Sequence, residues 1–457
     1  MTSISQQFTS TVVGALACQR DSYLKTFKTI VVNCVEKTPE KPAKSKSKGK
    51  SKEKATSGDA PDISSLSLND GKYYEVELED TILFPMGGGQ PSDTGSIIIS
   101  DDKSIPVSFV RRDGLIARHQ VLEPIAPGTP VSLLLDWHRR LDLMQQHTGQ
   151  HLLSAILDSR QLPTLSWKMG SGTSVSELVN YLEIPRKLSD EEVTQITDEV
   201  NAKILENLPI GVEVPGAEDF SQHKTNKIPE DYDLSKGVLR VVHIGELDAN
   251  TCCGTHLNST GQVASISLLH QTHVRGTNSR LHFLCGGRVA QYSSGVHGVM
   301  RNVLSALSCQ MDEVDEKLDG MSTQLRKALG ANKSLLEELA RLKEKELIEK
   351  IDKGQQVVFE HYCDKSLEFL MNFFKGLNAH YNKKIPQTVV LMCGEYKESG
   401  AIMIFGGESA RVQEIAGELK SKIKSLKGGG KDKWQGKVGA FEKGEIESVK
   451  EYFMAKE

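Results

Sequence analysis

Two short motifs, about a hundred residues apart, most constrain how this chain can fold. The first is H-T-G-Q-H at residues 147–151, inside a stretch with helical periodicity from about 135 to 160. The second is C-C-G-T-H at residues 252–256, just ahead of the strand-like residues 263–269. A spacing of four places both side chains of a helical pair on one face, one turn apart. Because imidazole and thiolate groups are donors that zinc prefers, the motifs predict that two distant segments converge on one ion.

The predicted metal site takes two side chains from each motif and holds one zinc ion per chain. Its ligands are His147, His151, Cys252 and His256. Cys253 is an alternative to Cys252, but Cys252 repeats the spacing of the first motif; both cysteines could also be small buried apolar residues. A metalloprotease helix needs glutamate directly after its first histidine, and Thr148 stands there, which excludes that class.

Length and composition predict a cytoplasmic protein of several domains. A chain of 457 residues exceeds the roughly 250–300 residues at which single cores stop growing. The sequence has no run approaching the roughly 20 apolar residues of a membrane helix and no visible signal peptide. Eight irregularly spaced cysteines indicate reduced thiols. With a net charge of −4, any contact with nucleic acid must come from local patches.

The first half of the chain predicts two domains of an α+β protein. Strand-like segments with Gly-rich turns favour a β-barrel over residues 1–136. A disordered Lys-rich insertion at about 38–70 interrupts it, either as a solvated basic segment or as a tether attracted to polyphosphate. Residues 137–290 are expected to form an α/β domain that contains the zinc site, with Ser189 capping its second helix.

The second half predicts a helical spacer and a small module. Residues 291–352 are expected to form the spacer, and between about 305 and 352 the sequence is dense in Leu, Lys and Glu without Pro, which favours a long exposed helix or a helical hairpin. Gly320 and Gly330 argue against a coiled coil, and a monomer is expected. Residues 353–457 are expected to form an α/β module in which strands precede a helix over about 409–426.

Three motifs together resemble the alanyl-tRNA editing proteins, which are free-standing relatives of the editing domain of alanyl-tRNA synthetase. They are H-T-G-Q-H-L-L at 147–153, C-C-G-T-H at 252–256 and F-P-M-G-G-G-Q-P-S-D-T-G at 84–95. C-Q-R-D-S-Y-L at 18–24 and G-T-N-S-R-L-H-F at 276–283 agree with them. The resemblance covers about residues 15–36 and 70–290, and the C-terminal module is similar to that of the long, eukaryotic-like form.

The resemblance implies a hydrolase that acts in trans on tRNA(Ala) wrongly charged with serine or glycine. A synthetase pocket shaped for alanine cannot strongly exclude glycine, which is smaller, or serine, which adds only a hydroxyl. Four protein ligands would close a tetrahedral shell, which leaves open whether zinc activates water or orients the substrate.

Further residues are expected to contact the substrate. The flexible backbone of Gly87, Gly88 and Gly89 is predicted to approach the acylated end of the tRNA, with Gln90 holding a water or hydroxyl as the catalytic candidate. Trp167 and Lys168 occupy the place where the family lines its amino-acid pocket, and a buried core residue is the alternative for Trp167. A Gly-rich element near the C-terminus resembles the nucleic-acid-binding element of the synthetase, with predicted tRNA contacts at Lys427, Gly429, Lys431, Lys433 and Trp434.

Two other functions are consistent with parts of this pattern. One is a non-catalytic tRNA-binding or interaction protein in which zinc is only structural. The other is a peptidyl-tRNA or release-type hydrolase, suggested by Gly88-Gly89-Gln90 alone. A structural zinc would not require a Gly-rich loop beside its ligands, which counts against the first function. The second function depends on a match of only three residues.

Overall fold

The computed structural model describes residues 9–38, 72–172, 174–216, 237–363 and 366–455. In these ranges the chain forms eight α-helices and nineteen strands, which confirms a mixed α+β architecture. The chain divides into two compact units, residues 1–303 and 304–457. The lysines of the predicted insertion, Lys41 to Lys54, lie outside the described residues.

The first unit begins with a short helix and a seven-stranded antiparallel sheet in the order β4-β3-β7-β1-β2-β6-β5. Its elements are α1 (Ala17–Arg20), β1 (Thr26–Lys37), β2 (Tyr73–Leu78), β3 (Gly95–Ser100), β4 (Lys103–Val107), β5 (Phe109–Asp113), β6 (Ile116–Val121) and β7 (Pro130–Leu135). Strand β1 bends at a bulge after Val31, so its first half pairs with β7 and its second half with β2. The sheet therefore curves around one apolar core.

The prediction of a closed β-barrel at the N-terminus is wrong for the described strands. The two strands at the ends of the sheet are β4 and β5, and they are not hydrogen-bonded to each other. Only Ser108 separates them along the chain, so they follow one another in line. They are two halves of one nearly continuous run of strand, which pairs with β3 on one side and with β6 on the other, and no backbone bonds join the two halves.

A buried histidine ties β6 to the neighbouring strand and loop. Nδ1 of His119 lies 3.0 Å from the carbonyl oxygen of Val76, and Nε2 lies 2.8 Å from Oγ1 of Thr81. A carbonyl can only accept, so Nδ1 carries the proton and Nε2 accepts from the hydroxyl. Burial lowers the pKa of His119 to about 4, so the neutral ring is the folded form.

His119 should make the first unit less stable in mild acid. Its pKa is about 4 when folded and about 6.5 when unfolded. The contribution of His119 to the free energy of unfolding is therefore complete above pH 6.5 and is lost as the pH falls from 6.5 through 4. Between pH 7 and pH 5 the loss amounts to roughly 2 kcal/mol. Denaturant unfolding of the protein and of His119→Gln at both pH values measures it, and equal pH dependence in the two proteins would contradict the expectation.

The rest of the first unit surrounds a long helix with two small sheets. Its elements are α2 (Trp137–Ser159), β8 (Ser166–Lys168), β9 (Asn180–Ile184), α3 (Asp190–Leu205), β10 (Ile210–Glu213), β11 (Val241–Ile244), β12 (Asp248–Thr251), β13 (Ile266–His273), β14 (Ser279–Cys285) and α4 (Gly287–Leu307), whose last turn falls within the second unit. The sheets run in the orders β10-β11-β12 and β13-β14-β9-β8. The predicted cap of α3 is confirmed, since the side chains and backbones of Ser189 and Glu192 bond reciprocally.

The second unit joins a 39-residue helix to a five-stranded sheet in the order β15-β16-β17-β19-β18. Its elements are α5 (Val314–Asp352), β15 (Val357–Tyr362), α6 (Leu367–His380), β16 (Thr388–Cys393), β17 (Gly400–Phe405), α7 (Ser409–Lys422), β18 (Leu426–Gly429), β19 (Lys433–Val438) and α8 (Glu445–Met454). The helix predicted to reach residue 426 ends at Lys422, because Leu426–Gly429 pairs with β19. None of the helices in the described ranges is both long and apolar enough to cross a membrane.

Candidate metal centre

Four donor side chains from two distant segments meet beside helix α2. His147 and His151 lie on α2, while Cys252 and His256 belong to the loop that begins directly after β12. Their ligand atoms all lie within 4.8 Å of one another. Sγ of Cys252 lies 3.4 Å from Nε2 of His147 and 3.3 Å from Nε2 of His256. The structure thus brings together all four residues of the predicted ligand set.

The local sequence fixes how α2 presents its two histidines. The helix begins after Asp136, whose side chain accepts a bond of 3.2 Å from the backbone nitrogen of Arg139. Between the histidines, Gly149 packs against β14: a Cβ there would lie 2.3 Å from Sγ of Cys285. Glycine therefore lets the ligand-bearing turn of α2 lie directly on the sheet.

A buried ion pair joins α2 to the segment that follows the Gly-rich loop. Arg140 and Asp93 are both fully buried and bonded to each other. Arg140 also donates to the carbonyl oxygen of Ile82, at 2.6 Å, and to that of Ser22, at 2.8 Å. Since each donor has a partner, the cost of burying the charges is offset by bonds that hold the helix against the first sheet.

Gln90 orients the ring of His147. Its Oε1 accepts from the backbone nitrogen of Thr255, at 3.1 Å, which identifies that atom as the oxygen of the amide. The same Oε1 lies 2.8 Å from Nδ1 of His147, so Nδ1 must donate and Nε2 keeps a lone pair for a metal. Nε2 of Gln90 donates to Oγ1 of Thr255 at 2.8 Å. Both ends of the buried amide are thus occupied within the protein.

Thr148 supports the second motif in a similar way. Its Oγ1 lies 3.3 Å from Nδ1 of His256 and accepts from the backbone nitrogen of Leu257 at 3.1 Å. A proton on Nδ1 of His256 again leaves Nε2 directed at the cluster. Thr148, which excludes the metalloprotease class, therefore helps to orient the ring of His256. Its place in the sequence motif did not indicate this role.

The environment favours neutral imidazoles. Burial lowers the pKa of His147 well below its ordinary value, and the nearby His151 and Arg240 lower it further. Burial also lowers the pKa of His256, with smaller effects from His147, His151 and Arg240. Neutral rings are the form that binds a metal ion, so these side chains do not have to lose a proton near pH 7.

Arg240 and Gln19 hold the loop that carries Cys252. Arg240 donates to the carbonyl oxygens of Gly254, at 2.8 Å, and Gln19, at 2.8 Å. Gln19 in turn donates through Nε2 to the carbonyl oxygen of Cys253 at 2.7 Å. Sequence reasoning had missed both as parts of the site, although Gln19 lies in the motif at residues 18–24.

Cys253 does not belong to the cluster. A Cβ added at Gly88 would lie 3.2 Å from the Sγ of Cys253, which places this sulfur beside the Gly-rich loop. Burial raises the pKa of its thiol, which opposes the thiolate form. Of the two neighbouring cysteines, the structure brings only Cys252 within reach of the three imidazoles.

The Gly-rich loop forms a tight turn against Trp167. Gly87 and Gln90 exchange two backbone bonds of 3.1 and 3.0 Å, and the residues between them, Gly88 and Gly89, have φ of 61° and 83°. This is the pattern of a type I′ turn, which glycine suits best. A Cβ on Gly89 would lie 2.6 Å from the Trp167 ring, which stacks on His147 with centroids 5.2 Å apart. Turn, indole and imidazole thus form one wall of the site.

Lys168 lies on the other side of the sheet from the cluster. It follows Trp167 directly on β8, and successive side chains of a strand point to opposite faces. Trp167 is partly buried against His147, whereas Lys168 is exposed beside Tyr181, its partner on β9. The two residues predicted to line one pocket therefore face different environments.

The predicted C-terminal tRNA element is a hairpin of β18 and β19. Lys427, Gly429 and Lys431 are exposed there, and Nζ of Lys433 lies 4.0 Å from the centre of the Phe374 ring. Trp434 is only 1% exposed and packs in the core of the second unit. Stacking on a base would require its ring to leave that core, so the burial argues against this predicted contact.

The donor set fits zinc. Bond lengths of about 2.0–2.3 Å in a tetrahedron separate neighbouring donors by roughly 3.3–3.8 Å, and the two distances from Sγ to Nε2 are 3.4 and 3.3 Å. The other nitrogens of His147 and His256 bond to Gln90 and Thr148, as metal-bound histidines usually bond to supporting groups. His147, His151, Cys252 and His256 are the residues that would hold the ion.

Comparison with known proteins agrees with the motifs. Residues 239–282 match the family described as the threonyl and alanyl tRNA synthetase second additional domain. The chain is 38% identical to the putative alanyl-tRNA editing protein alaX of Saccharomyces cerevisiae, over 96% of each chain. It is 31% identical to the alanyl-tRNA editing protein Aarsd1 of Rattus norvegicus, over 93% of this chain and 94% of that protein.

A longer relative matches this chain over only part of its own length. The chain is 28% identical to the alanine–tRNA ligase of Pyrococcus furiosus, over 82% of this chain but 41% of the ligase. The editing proteins, in contrast, match almost from end to end. The resemblance drawn from the motifs is confirmed, and the chain belongs to the alanyl-tRNA editing proteins.

Proposed function

We propose that this protein is a zinc-dependent editing hydrolase that acts in trans, in the cytoplasm, on tRNA(Ala) charged with serine or glycine. The observation that carries the proposal is the meeting of four metal donors beside the Gly88-Gly89 turn. A purely structural zinc would have no need of an exposed glycine turn next to it. The names of the relatives support a role in editing.

Bound zinc would supply a fixed positive charge next to the ester that is cleaved. The chain's own residues prepare the place for that ester. Gln90 fixes the tautomer of His147, and Trp167 restricts access to the ring by stacking on it. Gly88 and Gly89 are exposed and have no side chains, so the acylated end of a tRNA can approach their backbone closely. We therefore propose a positioning role for Gln90, because both the oxygen and the nitrogen of its amide are already bonded to residues of the site.

Deacylation measured together with bound zinc tests the function. Purified protein should contain about one zinc per chain and release serine or glycine from mischarged tRNA(Ala), while correctly charged Ala-tRNA(Ala) is spared. Zinc and tRNA binding without ester hydrolysis would instead support an interaction protein with a structural metal. Hydrolysis of peptidyl-tRNA would support the release-type alternative.

Removal of the Gln90 amide should weaken zinc binding. In Gln90→Ala, Nδ1 of His147 loses its acceptor, and loss of such a supporting bond typically lowers metal affinity about 10–100-fold. Gln90→Glu keeps an oxygen that can accept from both His147 and the backbone of Thr255, so it should retain much of the affinity. Competition with a chelator measures both variants, and unchanged affinity in Gln90→Ala would show that the bond has no such role.

A further inference from the structure

The side of the β13-β14-β9-β8 sheet that faces away from α2 carries rings and cations. We call it the outer sheet face and define it by five residues: Lys168, Tyr181, His270, Arg280 and His282. Their neighbours along the strands, such as Leu182, Leu281 and Phe283, are fully buried on the opposite face. Arg280 and His282 come from the motif at 276–283, which the metal centre does not use.

The side chains of the outer sheet face are arranged as a series of stacked planes. The rings of His270 and His282 are stacked, with centroids 4.3 Å apart and an angle of 13°. The guanidinium of Arg280 lies 4.4 Å from the centre of the Tyr181 ring. Burial, followed by His270 and Arg280, lowers the pKa of His282, so this ring is neutral near pH 7. The surface thus offers flat polarisable groups beside full positive charges.

The carboxylate that shares this face, Glu183, takes its hydrogen bonds from neutral side chains. Glu183, the strand partner of Arg280, accepts from Oγ of Ser166 at 3.1 Å and from Nδ2 of Asn278 at 2.8 Å. Nε of Arg280 has no hydrogen-bond partner among the described residues, although it is buried. An unpartnered nitrogen of this kind is unusual in a buried guanidinium group.

The outer sheet face adjoins the metal centre through a single edge strand. Strand β8 ends the sheet, and on it Trp167 faces His147 while Lys168 faces the outer side. A chain that left the metal centre around this edge would meet Lys168 first and then Tyr181, its partner on the adjacent strand.

We propose that the outer sheet face binds the RNA backbone of the substrate, next to its acylated end. This inference rests on the proposed function, because it assigns the path of that same substrate. Lysine and arginine neutralise phosphates, and an arginine fork also matches phosphate geometry. The histidine and tyrosine planes suit unpaired nucleotides, whose bases stack on such groups.

Lys168→Ala and Arg280→Ala test the proposal, with Lys28→Ala as the matched control, since Lys28 is exposed on β1 of the other sheet. For seryl-tRNA(Ala), KM should rise by about tenfold in each face variant, while kcat is retained. The slope of log(kcat/KM) against log salt should fall by about one for each charge removed. Seryl-adenosine, which carries the ester but no phosphate, should be hydrolysed equally by all four proteins, which also shows that the variants fold.

Two outcomes would overturn the proposal: an unchanged KM for seryl-tRNA(Ala), or an equal loss with the short ester. Fluorescence anisotropy with uncharged tRNA(Ala) tests RNA binding by the outer sheet face independently of the proposed editing activity. In one outcome, the unaltered protein hydrolyses no ester while the face variants still bind this tRNA about tenfold more weakly than Lys28→Ala. That result would support the RNA-binding surface and contradict the editing activity. Equal affinities in all four proteins would reject the surface.

Discussion

The Cys252→Ala, His256→Ala double variant should bind less than about a tenth of an equivalent of zinc and lose hydrolysis of Ser-tRNA(Ala) by about 1000-fold or more. It removes two of the four donors that lie within 4.8 Å of one another. The two that remain, His147 and His151, come from one helix and leave half of a tetrahedral shell to water. Such a site holds zinc far more weakly than a complete set of protein ligands.

Cys253→Ala is the control for this experiment. It removes a neighbouring thiol whose sulfur lies outside the cluster, beside Gly88. We expect normal zinc content and activity, measured by metal analysis and single-turnover deacylation. Loss of zinc in Cys253→Ala would mean that the adjacent cysteine is the ligand. Undiminished hydrolysis by the zinc-free double variant would remove the metal from the mechanism altogether.

Gly254→Ala should disrupt the centre without altering any donor. A Cβ at this position would lie 2.2 Å from Cε1 and 2.5 Å from Nδ1 of His147, and 2.8 Å from Oε1 of Gln90. These distances are far inside van der Waals contact, so the ring or the loop must move. Because the displaced groups are a ligand and its hydrogen-bond partner, zinc affinity should fall by about 100-fold or more, and activity with it.

Gly417→Ala is the matched control for Gly254→Ala. Gly417 lies in helix α7, where an added Cβ meets no heavy atom within 4 Å. Alanine should stabilise that helix by up to about 1 kcal/mol and leave zinc content unchanged. Chelator competition and thermal unfolding of both variants give the comparison. If Gly254→Ala retained zinc as firmly as Gly417→Ala, the close approach of loop and ring would not matter for binding.

Sequence reasoning could place the four donors because their geometry is local within each motif. The spacing of four residues in α2 determines that His147 and His151 share a face, whatever the rest of the fold. The role of Gln90 could not be found in this way. Its amide can hold a water or a neighbouring side chain, and only the positions of His147 and Thr255 show which one it holds.

Two further results follow from strand geometry. Trp167 and Lys168 were assigned to one pocket, yet as successive residues of β8 they face opposite sides of the sheet. The end strands of the N-terminal sheet, β4 and β5, follow one another along the chain with only Ser108 between them, and no backbone bonds join them. Such results depend on where strands begin and how they pair, which periodicity alone fixes poorly.

The C-terminal hairpin has the composition of a nucleic-acid-binding loop, but its tryptophan is buried. Lysines and glycines around Trp434 resemble a nucleic-acid-binding loop, and Lys427 and Lys431 are indeed exposed. The indole itself fills the apolar core under β18 and β19. A tryptophan in a Gly-rich, Lys-rich segment is thus compatible with stacking on a base or with packing in the core. The register of β18 and β19 determines which of these roles Trp434 can have.

The distances along the chain between the parts of the metal centre affect when it can be completed during synthesis. Gln90, the histidines of α2 and the loop after β12 emerge from the ribosome in that order, so the last two donors appear only after more than half of the protein has been made. A nascent chain that stops before Cys252 has no complete set of donors to offer. Under the proposed function, loading with zinc is a late event in the maturation of the first unit, and it should stabilise chains in which both segments have come together.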